Sequence, residues 1–346
     1  MINQKILVVG PSWLGDMVMA QALFKHLKLI NNNIQIDVTA PSWSFPLLER
    51  MPEVTSGIEL NFAHGEWSLE KRYQFGKSLR KNNYTSAIIL PNSWKSALVP
   101  WFAKITKRIG WFGEIRLCLI NDIRYLKKAV YPKMVERYVA LAYPANYQLP
   151  DKLLRPELIV DNKNLEQLKS KFNINADNSN KTFNNKLPII ALSLGAAFGE
   201  AKCWPEEYFI ELAYTAARDN KFNVWILGTK KDLIINNDIQ NIINFSGKTN
   251  LLETIDLLSL ADIVVCNDSG LMHIAASLNK KIIAIYGATS EEFTPPLADN
   301  VKIINKKLSC SPCFSRVCPL KHHNCMRQIT VEEIFRHIQD IYQYKG

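Results

Sequence analysis

Lys5-Ile-Leu-Val-Val-Gly10-Pro-Ser-Trp-Leu-Gly15-Asp16-Met17 stands close to the start of the 346-residue chain and decides how the rest is read. A short apolar run that stops at Gly10-Pro11 has the length and punctuation of a buried strand, Pro11-Ser12 supplies a turn, and a helical pattern follows from about Gly15 to Leu29. Strand, turn and helix in that order form the first unit of a parallel sheet covered by helices. The alternation continues outward. Ile34 to Val38 and Ile88 to Pro91 read as strands, with helical stretches at Leu69 to Lys81 and Ser96 to Phe102. A turn-rich, Asn-rich segment from Asn173 to Lys186 interrupts the pattern. Beyond it the alternation restarts, with strands at Ile189 to Leu194, Asn223 to Leu227, Asp262 to Cys266 and Ile282 to Tyr286. Helices are expected at Glu206 to Ala217, Leu251 to Leu260, Leu271 to Leu278 and Val331 to Tyr342.

The sequence therefore predicts an α/β protein of two Rossmann-like domains, a size the domain-length prior also favours. The expected boundaries are residues 1–172, a connection at 173–186, and residues 187–330. The terminal helical segment 331–346 is free to pack back on the first domain.

Charge divides unevenly along the chain. Residues 1–150 hold 19 Lys and Arg against 10 Asp and Glu, a balance of +9, and the remainder holds 23 against 22, a balance of +1, so the basic excess lies in the first half. Such a surface gathers an anionic partner or serves solubility, and charge alone does not choose. The apolar runs are strand-length, well short of the roughly 20 residues that cross a bilayer. No charged leader, apolar stretch and small-residue cleavage site follow one another at the N-terminus, so a cytoplasmic location is expected. Three of the seven cysteines (Cys118, Cys203 and Cys266) are scattered in ordinary segments, as reduced thiols would be.

In open α/β sheets ligands collect at the carboxyl ends of strands. Three segments have that place. After the first strand come Gly10, Gly15 and Asp16, without the GxGxxG spacing of a nicotinamide site, so no such cofactor is expected. Asp16 is either a reactive carboxylate or a helix cap. After the first strand of the second half comes Gly195-Ala196-Ala-Phe-Gly199-Glu-Ala-Lys202-Cys-Trp204-Pro205-Glu206. Its small residues expose backbone amides and Lys202 supplies a cation, as a phosphate requires, although an exposed loop lysine would look the same. The third segment is Asn267-Asp268-Ser269-Gly270-Leu271-Met272-His273, where a strand ends at a carboxylate and a helix begins with its positive end toward the ligand edge. A diphosphate suits that turn. His273 belongs either to the ligand or, more conservatively, to helix packing.

Taken together, Gly10-Pro-Ser-Trp-Leu-Gly-Asp-Met, Leu47-Leu-Glu-Arg-Met-Pro52-Glu, Leu90-Pro-Asn-Ser-Trp-Lys95-Ser-Ala-Leu-Val-Pro100, Met134-Val-Glu-Arg-Tyr138, Asn267-Asp-Ser-Gly-Leu-Met-His273 and Phe293-Thr-Pro-Pro296 resemble the lipopolysaccharide heptosyltransferases, in particular the heptosyltransferase II group of glycosyltransferase family 9. The resemblance runs from the first strand to about Leu297. It implies the GT-B form of the α/β fold, with the two domains facing each other across a cleft. It also implies inverting transfer of L-glycero-D-manno-heptose from ADP-heptose to the first heptose of the Kdo-lipid A core, without metal or cofactor. By family analogy Asp16 is the general base and Lys202 the principal cation at the leaving diphosphate. Gly15, Gly195, Ala196, Asp268, Ser269, Gly270, Leu271 and His273 then surround the donor, and Asp232 is a candidate ribose ligand. The anionic acceptor gives the basic first half a purpose, with Lys71, Arg72, Arg80, Lys95, Arg116 and Arg137 as candidate contacts. Trp94, Trp101, Phe102, Trp111 and Phe112, lying among those charges, suggest peripheral docking on the inner face of the membrane, with core packing as the plainer fate of such rings. Nucleic acid is not an expected partner. A nucleotide-sugar epimerase of the same architecture and a non-enzymatic lipopolysaccharide-binding protein are the rival readings.

One loop falls outside this scheme. Cys310, Cys313, Cys318 and Cys325, with His322 and His323, lie within sixteen positions. Zinc is a candidate occupant, against four reduced thiols as the competing account, since the spacing is not that of a standard finger.

Overall fold

The computed structural model describes residues 4–60, 68–174, 187–218, 221–230 and 239–343. The chain divides into two compact units, Met1–Pro156 and Glu157–Gly346.

The first unit holds a six-stranded sheet of β1 (Lys5–Val9), β2 (Gln35–Ala40), β3 (Ser56–Glu59), β4 (Ser86–Ile89), β5 (Lys107–Trp111) and β6 (Asp122–Arg124), ordered β3-β2-β1-β4-β5-β6. The second holds β7 (Ile189–Ser193), β8 (Asn223–Leu227), β9 (Ile242–Asn244), β10 (Ile263–Asn267), β11 (Lys281–Tyr286) and β12 (Val301–Asn305), ordered β12-β11-β10-β7-β8-β9. Counted within its own unit, each sheet runs 3-2-1-4-5-6, and every pairing is parallel. This is the order of the doubly wound dinucleotide-binding fold. Ile6 to Val9 in β1 and all of β8 and β10 are buried, because helices cover both faces and leave no strand face for water.

The order reverses between β1 and β4 in one unit and between β7 and β10 in the other. At such a reversal the loops leaving the two strands turn to opposite faces, and a crevice opens at the carboxyl edge. The three segments singled out from sequence all leave from these strands.

Two expected boundaries are corrected. The helix Asn162–Lys171 belongs to the second unit, so the division falls at Pro156 and not at residue 172. Its Leu165 and Leu168 are buried, and it packs on the helix Leu251–Leu260. The Asp161 N–H and Asn164 Nδ2 donate to the carboxylate of fully buried Asp256, at 2.9 and 2.6 Å. The terminal helix Val331–Gln343 likewise stays with the second unit. Val331, Ile334 and Ile338 enter that unit's core, against the helix Glu206–Ala217 and β11. Of the expected connection at 173–186, residues 175–186 lie outside the described residues.

Candidate active site

The crevice of the second unit is assembled around Asn267, the last residue of β10. Its fully buried side chain accepts from the Trp204 N–H at 2.9 Å and donates to the Leu194 carbonyl. Trp204, itself buried, donates from its indole nitrogen to the Ile329 carbonyl at 2.9 Å. The loop 194–204 is thereby fixed to the strand across the reversal, which brings Lys202 to Asp268. Their Nζ and Oδ2 stand 2.6 Å apart, and the Thr289 hydroxyl donates to the same oxygen at 2.6 Å. The lysine is 14 % exposed and the aspartate 5 %, so the pair is largely withdrawn from water. Gly195 and Ala196, half-buried, begin the same loop directly after β7.

The helix Gly270–Ser277 starts beside this pair, with Ser269 in the capping position and extended. Gly270 and Leu271 are its first residues, whose amides have no carbonyl one turn earlier to bond. The Ser269 hydroxyl is buried and makes no hydrogen bond among the described residues. A buried hydroxyl left unsatisfied at the positive end of a helix suits an anion that supplies oxygen acceptors. His273 sits one turn further on, buried, and desolvation lowers its pKa to about 4, with Asp268 opposing and Lys202 reinforcing the shift. It is neutral at pH 7. Asp232 lies outside the described residues.

In the first unit, the helix Leu14–Ile30 follows the β1 loop with Trp13 in the capping position, so Asp16 lies in the first turn and is not itself the cap residue. Half-buried, it carries its charge near the helix's positive end. The short helix Met134–Val139 packs alongside. Its Tyr138 is buried, and desolvation together with the Asp16 charge raises the phenol well above 10.

The six candidate acceptor cations separate. Lys95 is half-buried in the turn Trp94–Ala97 that follows β4 at the carboxyl edge. Arg116 is at the same edge but only 3 % exposed. Its guanidinium donates to the carbonyls of Pro91 and Trp111 at 2.7 Å each and of Ser93 at 3.2 Å, and desolvation lowers it to about 10 against the pull of Glu114. The two terminal nitrogens of the fork here clamp the loop that follows β4 to the end of β5, while Nε makes no hydrogen bond among the described residues. Arg80 donates to the Phe102 carbonyl at 3.0 Å, at the amino edge of the sheet where the chain enters β4 and β5. Arg137 donates to the Tyr131 and Pro132 carbonyls. On the helix Leu69–Leu79, Lys71 is exposed and Arg72 buried. Of the five aromatic candidates for membrane contact, Trp101 and Phe112 are exposed, Trp94 and Phe102 half-buried, and Trp111 buried.

The four cysteines of the last loop, with His322 and His323, line one small pocket against Ala201, Gly287 and Ala288. Burial and the other three sulfurs raise the Cys325 thiol. At Cys318 desolvation pushes the same way, but the backbone N–H groups of residues 320–323 together outweigh it and lower the thiol. All four are free thiols, and among the described residues no group of three or more His, Cys, Asp or Glu side chains stands ready to hold a metal ion.

Sequence reasoning did not single out Thr289, or Asn267 as the residue joining the two loops. Both lie just at or beyond strand ends on the carboxyl edge, the one place in this fold where an ordinary Asn or Thr is a candidate for the site by position alone.

The profile of glycosyltransferase family 9 (heptosyltransferase) matches residues 72–324. The lipooligosaccharide heptosyltransferase 2 of Haemophilus influenzae is 44% identical over 86% of this chain and 88% of its own. The lipopolysaccharide heptosyltransferase 2 of Escherichia coli K12 is 41% identical over 87% of each. A solved structure of the E. coli ADP-heptose lipopolysaccharide heptosyltransferase II superimposes with a TM-score of 0.84 at 37% identity, covering 99% of this chain and all of that one. The chain is a GT-B glycosyltransferase and belongs to glycosyltransferase family 9, the heptosyltransferases.

Proposed function

We propose that the protein transfers L-glycero-D-manno-heptose from ADP-heptose to the first heptose of a Kdo-lipid A core, inverting the anomeric centre. The observation that carries the donor half is the crevice between β7 and β10, where a lysine held at 2.6 Å from Asp268 adjoins a helix N-terminus and a buried, unsatisfied Ser269 hydroxyl. Relatives named heptosyltransferase 2 at 41–44% identity support the donor and acceptor classes.

In the proposed step Asp16 takes the proton of the acceptor hydroxyl as its oxygen bonds to the anomeric carbon. The bond from that carbon to the diphosphate breaks, and ADP leaves with the electron pair. Charge growing on the leaving diphosphate is met by Lys202 and by the amides of Gly270 and Leu271, groups already oriented before the reaction. Lys202 changes partner in this account, from Asp268 to phosphate oxygen. Asp268 is then released toward the sugar hydroxyls of the donor. Asp232 remains the candidate for the ribose.

Lys95 and Lys71 are the proposed contacts for acceptor phosphates and carboxylates, with Arg116 holding the loop that carries Lys95. The acceptor is a lipid, and no helix among the described residues is long and apolar enough to cross a membrane. The reading therefore includes peripheral contact with the cytoplasmic membrane face through exposed rings such as Trp101 and Phe112.

Transfer to defined truncated lipopolysaccharide acceptors, read by mass spectrometry, tests the whole. Asp16→Asn is expected to lower turnover by roughly 10² to 10⁴ while ADP still binds. Unchanged turnover would remove Asp16 from the role of base.

A further inference from the structure

The charges around the donor crevice do not balance in favour of a diphosphate. Lys202 and Asp268 cancel one another at 2.6 Å, and the neighbouring Glu200 carboxylate is 65 % exposed and 4.0 Å from His323. A nucleoside diphosphate brings two or more negative charges into this setting, and helix amides alone offer partial charge.

Arg316 answers that deficit. Its guanidinium carbon stands 5.6 Å from the centre of the Phe198 ring, and the Lys202 ammonium stands 4.9 Å from the same ring, so one aromatic side chain carries both cations. The arginine is exposed and among the described residues has no carboxylate partner. Its backbone is not loose. The Arg316 carbonyl accepts from the Ala201 N–H at 3.0 Å, inside the loop that carries Lys202. Gly199, at φ +156°, passes so close that a Cβ there would collide with the Arg316 carbonyl oxygen, so only glycine permits the approach. Two residues before Arg316, the Phe314 N–H donates to the Ala288 carbonyl at 2.7 Å, just beyond the end of β11. The Cys-rich segment thus delivers a cationic side chain to the phosphate loop at a fixed position.

We infer that Arg316 is a second diphosphate-binding cation, holding the nucleotide's phosphate oxygens alongside Lys202 with Phe198 between the two as their common support. The inference rests on the donor reading above. A guanidinium is suited to it, because its planar fork takes two phosphate oxygens at once while its face remains on the ring. The Cys-rich loop then has a definite role at the site, as the support for this residue.

Calorimetric titration of the full-length chain with ADP and with adenosine separates the phosphate contribution from the rest. Arg316→Ala and Arg316→Gln, the second keeping much of the packing on Phe198, are expected to weaken ADP about tenfold or more, as loss of a charged hydrogen bond does, and to leave adenosine unchanged. The salt dependence of ADP binding should flatten in both variants, and Arg316→Lys should recover only part of the loss. Equal weakening of ADP and adenosine would mean that Arg316 only packs, and unchanged ADP binding in both variants would also overturn the inference, with the donor reading intact. A wild-type chain that binds ADP no more tightly than adenosine would defeat both.

Discussion

Both sheets follow the order 3-2-1-4-5-6, yet the crevices this order creates are furnished in opposite ways. Between β7 and β10 the ionisable groups are paired and the loop is tied down, with Lys202 on Asp268, Thr289 on the same oxygen and Asn267 joining both sides. At the carboxyl edge of the first sheet the buried Arg116 is bonded to carbonyls, and Lys95 and Asp16 are half-buried. One charge in the first unit therefore serves shape alone, whereas in the second the charges that give shape are those proposed to meet the ligand. A site assembled before binding suits a small nucleotide that must be gripped and released with fixed geometry. The more open edge suits the larger acceptor proposed above.

If that contrast holds, Arg116 and Lys202 should respond differently to removal. Arg116→Ala is expected to cost about 3 to 5 kcal/mol of stability, because several carbonyls lose their donor and a void replaces the guanidinium. Thermal unfolding would register it, and Arg116→Lys should rescue little, since one ammonium cannot reach the carbonyls on both the loop and β5. Loss of activity without loss of stability would move Arg116 into the acceptor site and break the comparison.

Lys202→Met leaves the Asp268 carboxylate, 5 % exposed, with its cation gone and the Thr289 hydroxyl still donating to it, for a cost of about 3 kcal/mol. Adding Asp268→Asn to that variant should restore most of the stability and none of the ADP affinity. Recovery of both would mean that Lys202 serves only to neutralise Asp268.

A comparable magnitude, reached only in acid, attaches to His273. Its pKa is near 6.5 in the unfolded chain and about 4 in the folded one, so between those values the unfolded state binds more protons. Stability therefore falls as pH is lowered from 6.5 towards 4, by up to about 3 kcal/mol at the acid end. Burial lowers His26 in the first unit as well, with the same sign. Denaturant titrations of His273→Asn isolate the second unit's share, and an unchanged slope with pH would show that His273 is not the group responsible.

The contrast between the two crevices was only half legible in the sequence. Strands buried on both faces announce themselves as apolar runs, and β1, β7, β8, β10 and β11 all fell within a residue of their expected ends. Edge strands do not. In β3, Ser-Gly-Ile-Glu, and in β6, Asp-Ile-Arg, too few residues are buried to leave a pattern; β9 is mostly buried but only three residues long, and β12 is long enough but has a single buried residue. The ligand loops were legible because glycine, small residues and a charge at a strand's end have few structural uses in combination. Arg116 was not, since a basic residue in a basic segment reads as surface until its neighbours in space are known. The unit boundary was hidden similarly. Nothing in Asp161 to Lys171 says which core its two leucines join, and the turn-rich stretch after it is the louder signal.

That boundary yields the smallest effect and a direct check on treating the two units separately. Asp161 caps the helix Asn162–Lys171, its side chain accepting from the N–H groups of Lys163 and Asn164 at 2.9 and 3.2 Å, while its own N–H is held by buried Asp256. Asp161→Ala removes the cap and Asn164→Ala removes one hydrogen bond to Asp256, each at about 1 kcal/mol. The consequence should be local to one unit. Hydrogen exchange in both variants is expected to rise in residues 162–171 and in the helix Leu251–Leu260 that they pack on, with β1 to β6 unaffected. Matching loss of protection in the first sheet would show that the helix is shared between the units, and the division at Pro156 would then have to move back toward residue 172.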